Sequence, residues 1–227
     1  MELPFNKEAI ITASGVHPLK VRNIYVYGSR VYGTARDGSD WDIIMVASHL
    51  LAHEEKRVTI KAAKPIYDGD GNDLSGVLLN IHIITPDKFT SDLKLPNIMN
   101  LECAFAPDWA KLQEKMTLSY KVEVKRLIKN NLAQSYSSWN GGKRKIREYN
   151  IDKGIKSIFH SLRMLMFAAQ IAEHGKIVDY SVANDLYSEI TDSDEFEWDY
   201  FKEKYLPLKV QLEEKLKSFA QVETKSE

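Results

Sequence analysis

Trp41-Asp42-Ile43-Ile44-Met45-Val46 is the stretch that most restricts how this chain can fold. Its near-continuous apolar character reads as a largely buried strand. One carboxylate interrupts it. Burying a lone carboxylate is costly, so Asp42 needs a reason to be there. Asp40 stands two residues earlier, and positions i and i+2 of a strand project from the same face, which sets two carboxylates side by side. Such a pair repels itself unless a cation lies between. Mg2+ or Mn2+, hard ions that take oxygen ligands and accompany substrate phosphates, suit the pair. Trp41 and Ile43 then point the other way, into the core.

A second strand is predicted just upstream, Asn23 to Tyr27, and Gly28-Ser29-Arg30 follows it. Glycine lets backbone amides approach a phosphate closely, and a helix start after it directs free N–H groups at an anion. Ser29 can add a hydroxyl hydrogen bond. Taken singly, Gly28 and Gly33 are turn residues and Asp37, Asp40 and Asp42 decorate a loop and an edge. In the order strand, turn, strand they point to a phosphate-bearing ligand held with a metal ion.

The whole chain sets the limits within which that reading must fit. With 227 residues and 44% apolar content it can build one medium core or two small ones. Thirty-one Lys and Arg balance thirty-two Asp and Glu, so any polyanion must be held by a local patch and not by global charge. The single cysteine, Cys103, lies in an apolar setting and reads as a buried structural thiol, with neither a disulfide framework nor a zinc knuckle available. The longest apolar run, Ile43 to Ala52, is far too short to span a bilayer, and the start of the chain lacks the apolar core of a signal peptide. A soluble, cytoplasmic protein without membrane partners is expected.

The first half alternates β-branched and aromatic runs with turn residues. Arg57 to Ala63 and Gly76 to Thr85 flank the acidic turn Asp68 to Asp73, and a hairpin is predicted. That turn is no calcium loop, because Asp73 and Leu79 stand where glycine and a bidentate Glu are required. From about Pro107 the period becomes helical, with Trp109, Leu112 and Met116 on one face and Val124, Leu127 and Ile128 on another. The strongest helix runs from Asp152 to Glu173, with Asp152 as its cap and Gly175 at its end. A final helix is predicted from Leu208 to Phe219.

On the central helix Lys156, His160 and Arg163 form a polar flank at i, i+4 and i+7. Arg163, hemmed by apolar neighbours, calls for an anion, either a phosphate or an internal acid such as Glu102. Lys143 to Arg147 form a denser basic cluster after the turn residues Trp139-Asn140-Gly141-Gly142. The cluster is either a solvated loop or a holder of phosphates, with Trp139 or Tyr149 available for base stacking.

The segment Tyr27 to Gly33, followed by Ser39-Asp40-Trp41-Asp42, resembles the polymerase β-type nucleotidyltransferase superfamily, and more closely its RNA-repair-associated branch. The resemblance continues through Asn80 to Phe89, Asn100 to Glu102 and the helix of Lys156, His160 and Arg163. Together with the strand and helix patterns it gives an α+β fold: a small mixed β-sheet nucleotidyltransferase core over residues 1–115 and a helical substrate-binding domain over 116–220, with the chain end over 221–227 read as a disordered tail. It also implies that Gly28 and Ser29 bind the triphosphate while Asp40 and Asp42 hold the metal; Arg30 beside them, and Lys156 and Arg163 of the polar flank, are read as further nucleotide contacts. The expected reaction moves a nucleoside monophosphate from a triphosphate to a hydroxyl, on RNA or a small acceptor, releasing pyrophosphate.

One position departs from the family pattern. The superfamily places a third carboxylate on a later strand, and alignment puts Asn80 there. An amide is no base. His82, on the same strand face, could supply a proton acceptor or a metal ligand, or serve structure alone. The alternative is a catalytically impaired nucleotide-binding or antitoxin-like regulatory module.

Overall fold

The computed structural model describes residues 3–48, 55–61 and 77–223, and the chain divides into two compact units. One unit comprises Met1–Lys94 with Met99–Lys121, the other Leu95–Ile98 with Val122–Glu227.

The first unit is a five-stranded mixed sheet with flanking helices. After helix α1 (Lys7–Ser14) come β1 (Val21–Tyr27), a single helical turn α2 (Ser29–Tyr32), β2 (Trp41–Ala47), β3 (Glu55–Lys61) and β4 (Leu78–Ile84). Helices α3 (Pro86–Lys94) and α4 (Ile98–Ala104) precede the short strand β5 (Lys111–Glu114). The sheet order is β3-β4-β2-β1-β5. β2 is central, antiparallel to β1 and parallel to β4.

Alternation along these strands sorts the side chains onto two faces. Ile24, Val26, Trp41, Ile43, Met45, Leu79, Ile81 and Ile83 form one apolar layer with Phe5 and with Ala9, Ile10 and Ile11 of α1. Trp41 packs edge-on against Phe5, so it does face the core. The other face carries polar groups among its apolar ones. There Tyr25 stacks on Phe89 of α3, and its hydroxyl donates to Glu114. Cys103 of α4 is fully buried, and burial pushes its thiol well above the ordinary range.

The predicted antiparallel partners of the hairpin are β3 and β4. The intervening acidic turn, with its calcium question, lies outside the described residues. The helical period expected from Pro107 holds only from Val124 onward. Asp108–Ala110 make one 3-10 turn, and Lys111–Glu114 instead pair with the outer edge of β1. Three apolar residues at helical spacing cannot outweigh an open edge with unpaired backbone groups.

The second unit is helical: α5 (Val124–Arg147), α6 (Ile151–His174), α7 (Asn184–Thr191) and α8 (Trp198–Glu223). Its core joins Trp139, Ile146, Ile155, Ile158 and Leu162 to Trp198, Phe201 and Tyr205. Gly175 ends α6 in the left-handed conformation as predicted, but Asp152 sits in the first turn, behind the cap position held by Asn150. α8 is longer than expected because Pro207, ordinarily a stop signal, lies inside it.

Trp139 to Gly142 form no turn but lie within α5. Gly142 is spent on helix contact: a Cβ there would meet Ile158 Cγ1 at 2.9 Å, and one on Gly154 of α6 would meet Ile146 Cγ1 at 2.5 Å. The two helices approach closely only because both positions lack side chains. Gly154→Ala is therefore expected to destabilise this unit by about 1–3 kcal/mol, read as a lowered Tm. Gly141→Ala, with nothing within 4 Å of the added carbon, should instead raise stability by about 0.5–1 kcal/mol. Equal effects of the two changes would contradict this packing.

Candidate active site

Strand register builds the site. Tyr27 pairs with Asp42, and Asp42 pairs with Asn80, so three side chains cross the sheet in one row. The next row on that face is Tyr25, Ile44 and His82. All three of the deeper row are buried, whereas Tyr27, Asp42 and Asn80 are each half-buried. Coverage of this face ends at Asp42. A carboxylate near the start of the central strand, at the row where packing stops, keeps its neighbours' support and still meets solvent.

Two neighbours fix that carboxylate. Asn80 Nδ2 donates to Asp42 Oδ1 at 2.8 Å. On the other side lies Gly28, whose backbone is so close that a Cβ would stand 2.5 Å from Asp42 Oδ2. Gly28 also adopts φ 82° and ψ −157°, a conformation essentially reserved for glycine. It carries the chain from β1 into α2, where the N–H groups of Val31 and Tyr32 both bond to its carbonyl. Gly33 closes the turn in the left-handed region, its N–H bonding to the Ser29 carbonyl. Behind the turn, the buried Tyr32 hydroxyl donates to the buried Glu102 of α4.

Asp40 precedes β2 by one residue. Its carboxylate is half-buried and makes no hydrogen bond or ion pair with any described residue. Arg30 spans the loop before it, donating to the Ser39 carbonyl at 2.6 Å while its guanidinium lies 4.6 Å from the Trp41 ring centre. Its buried Nε has no acceptor among the described residues. Ser39 in turn accepts from the Arg36 N–H through its hydroxyl.

The structure thus brings Gly28, Asp42 and Asn80 into direct contact, with Ser29, Arg30 and Asp40 on the adjoining turn and loop. His82 is 3% exposed and one pleat deeper than Asn80, which places it in the packed interior. Tyr27, Asp42's partner on β1, and the Tyr32–Glu102 support were not singled out by sequence. Lateral register and a contact between elements 70 residues apart leave no local pattern.

Lys156, His160 and Arg163 lie on α6 of the second unit. Lys156 is exposed. Arg163 is 7% exposed, and its guanidinium lies 5.8 and 5.5 Å from the Phe159 and Phe167 ring centres. One of its nitrogens stands 3.0 Å from His160 Nδ1. Burial, then the nearby Arg163 and Lys145 charges, push the His160 pKa down to about 3, so the ring is neutral and can accept from Arg163. Glu102 Oε2 accepts from the Tyr32 hydroxyl within the first unit.

Among the described residues, no group of three or more His, Cys, Asp or Glu gathers to hold a metal ion, and no helix is long and apolar enough to cross a membrane. No protein-family model and no curated protein matches the chain. Among solved structures, it is similar to a nucleotidyltransferase-like protein from Exiguobacterium sibiricum 255-15, at 15% identity and a TM-score of 0.33, over 92% of this chain and 72% of that one. An aminoglycoside 6-adenyltransferase from Bacillus subtilis is similar at 11% identity and a TM-score of 0.31, over 94% of this chain and 88% of its own. Superpositions this loose leave the chemistry to be read from the side chains.

Proposed function

We propose that the chain is a metal-dependent nucleotidyltransferase, moving a nucleoside monophosphate from a triphosphate to a hydroxyl of RNA or a small acceptor, with release of pyrophosphate. The observation that carries this reading is the placement of Asp42. It stands at the uncovered end of the central strand, oriented by Asn80 and lodged against a glycine turn that leaves no space for a side chain.

The donor set fits Mg2+ or Mn2+. Asp40 and Asp42 are hard oxygen donors two residues apart, and such ions keep the rest of their shell for water and phosphate oxygens. When bound, the ion would offset charge on the attacking and leaving oxygens of an in-line displacement. The chain's own residues do the positioning. Gly28 lets the turn come close to the triphosphate, Ser29 offers it a hydroxyl, and Arg30 holds the loop that carries Asp40 while keeping its Nε for an anion. Lys156, exposed on the helical unit, is suited to a phosphate of the acceptor, and the enclosed Arg163 to support of the helix that bears it.

Proton removal from the acceptor is the step without an owner. Asn80 gives its N–H to Asp42, and its amide oxygen is no base. That bond favours a second reading, a module that binds nucleotide and turns it over poorly, in the manner of an antitoxin-like regulator.

Incubation with labelled nucleoside triphosphates, Mg2+ or Mn2+ and pooled RNA tests both. Asp42→Asn should lower labelling roughly 10²-fold or more. Unchanged labelling in that variant rules out the metal site. No labelling by the natural sequence, with nucleotide binding intact in calorimetry, selects the second reading.

A further inference from the structure

The connection between α5 and α6 holds a residue that the fold does not explain. Tyr149 N–H bonds to the Ile146 carbonyl at 3.0 Å and Asn150 N–H to the Lys145 carbonyl at 2.8 Å, a helix end that ordinarily places glycine at the position Tyr149 occupies. Tyr149 adopts φ 60° there, the one non-glycine residue with positive φ among those described. Its ring is 92% exposed and adds nothing to the core. Glycine would relieve the backbone and remove an apolar ring from water, so fold stability alone disfavours tyrosine.

Positive charge surrounds it. Residues 143–156 hold six Lys and Arg against Glu148 and Asp152, in a chain whose overall net charge is −1. Lys143 and Lys145 are engaged, over the Trp198 ring and on Ser157 Oγ. Arg144, Arg147, Lys153 and Lys156 are exposed and form no ion pair with any described residue. The Gly142–Gly154 contact brings the two helix ends together, so the cations from both flank one connector. Trp139 and Trp198, the tryptophans beside the cluster, are each 6% exposed and unavailable.

The geometry points to a binding surface for single-stranded nucleic acid, with Tyr149 stacking on an unpaired base and Arg144, Arg147, Lys153 and Lys156 taking the flanking phosphates. A projecting ring among point charges is the combination such strands require. An anionic membrane would call for an apolar face beside the tyrosine, and Ile146 and Ile155 are buried instead. The surface lies wholly in the second unit and does not depend on nucleotide transfer in the first.

Fluorescence anisotropy of the full chain with a labelled single-stranded RNA of about ten nucleotides, in EDTA and without triphosphate, tests it. Saturable binding is expected, weakening roughly 20- to 50-fold from about 50 to 200 mM salt, as three or four phosphate contacts require. Tyr149→Gly should weaken binding at least about fivefold while leaving Tm unchanged or raised, and Tyr149→Phe should bind within about twofold of the natural sequence. Absence of binding at low salt, undiminished binding by Tyr149→Gly, equal affinity for duplex, or sedimentation with phosphatidylserine-containing vesicles in place of RNA binding would each overturn the proposal. RNA binding without labelling in the transfer assay upholds this surface and rejects only the first unit's activity.

Discussion

Gly28→Ala should abolish nucleotide binding and cost about 2–4 kcal/mol of stability, from two separable causes. The first is backbone conformation, since φ 82° with ψ −157° is a region that side chains other than glycine's hydrogen scarcely enter. The second is contact. The added carbon would sit 2.5 Å from Asp42 Oδ2 and 3.2 Å from its Cβ and Cγ, so the carboxylate or the turn must move. Either movement breaks the alignment between the glycine turn and Asp42. Thermal unfolding and calorimetry measure the two losses. A double-mutant cycle with Asp42→Ala apportions them, because removing the carboxylate relieves the contact and leaves the backbone strain. A coupling of about 1–2 kcal/mol is expected; additive effects would mean that Asp42 and Gly28 do not touch.

The same contact explains why this site was legible in the sequence. Asp42 sits in a run too apolar to hold a carboxylate idly, and a glycine-serine pair after the preceding strand supplies the turn, so both halves carry local signals. Their joining by register needed only adjacent strands. Asn80 was reached by alignment, and the observed register sets it beside Asp42. What local pattern could not show was depth. Asn80 and His82 share a strand face, yet one lies at the half-buried row and the other a pleat deeper.

Helix limits were misread where a residue with a strong local habit was used for tertiary contact. Gly141 and Gly142 look like a turn, but Gly142 serves a close helix approach, and the helix end falls seven residues later at Tyr149. Pro207 hides the first half of α8 in the same way. β5 was missed for the opposite reason. Its four residues have little pattern of their own and are strand because β1 has an open edge.

Asn80→Asp decides whether the missing carboxylate is what limits turnover. The change replaces a 2.8 Å amide-to-carboxylate hydrogen bond with two carboxylates in contact. Without metal at neutral pH, the loss of that bond and the new repulsion should lower stability by about 2–4 kcal/mol. The introduced group's repulsion raises the apparent pKa of the pair above that of the unfolded chain. The penalty is therefore absent in acid, grows as pH rises from the unfolded carboxylate range through the raised value, and stays constant above it. Mg2+ or Mn2+ should recover the lost stability at neutral pH by supplying the charge the amide proton partly provided, so Tm becomes metal-dependent where the natural sequence shows less response. If Asn80 occupies the place of a general base, labelling should rise by roughly 10²-fold or more, the ordinary contribution of such a group. A metal-dependent Tm without faster labelling would mean that the new carboxylate binds the ion and the acceptor's proton leaves by another route. A Tm indifferent to both pH and metal would show that residues 42 and 80 do not form the pair on which the site is built.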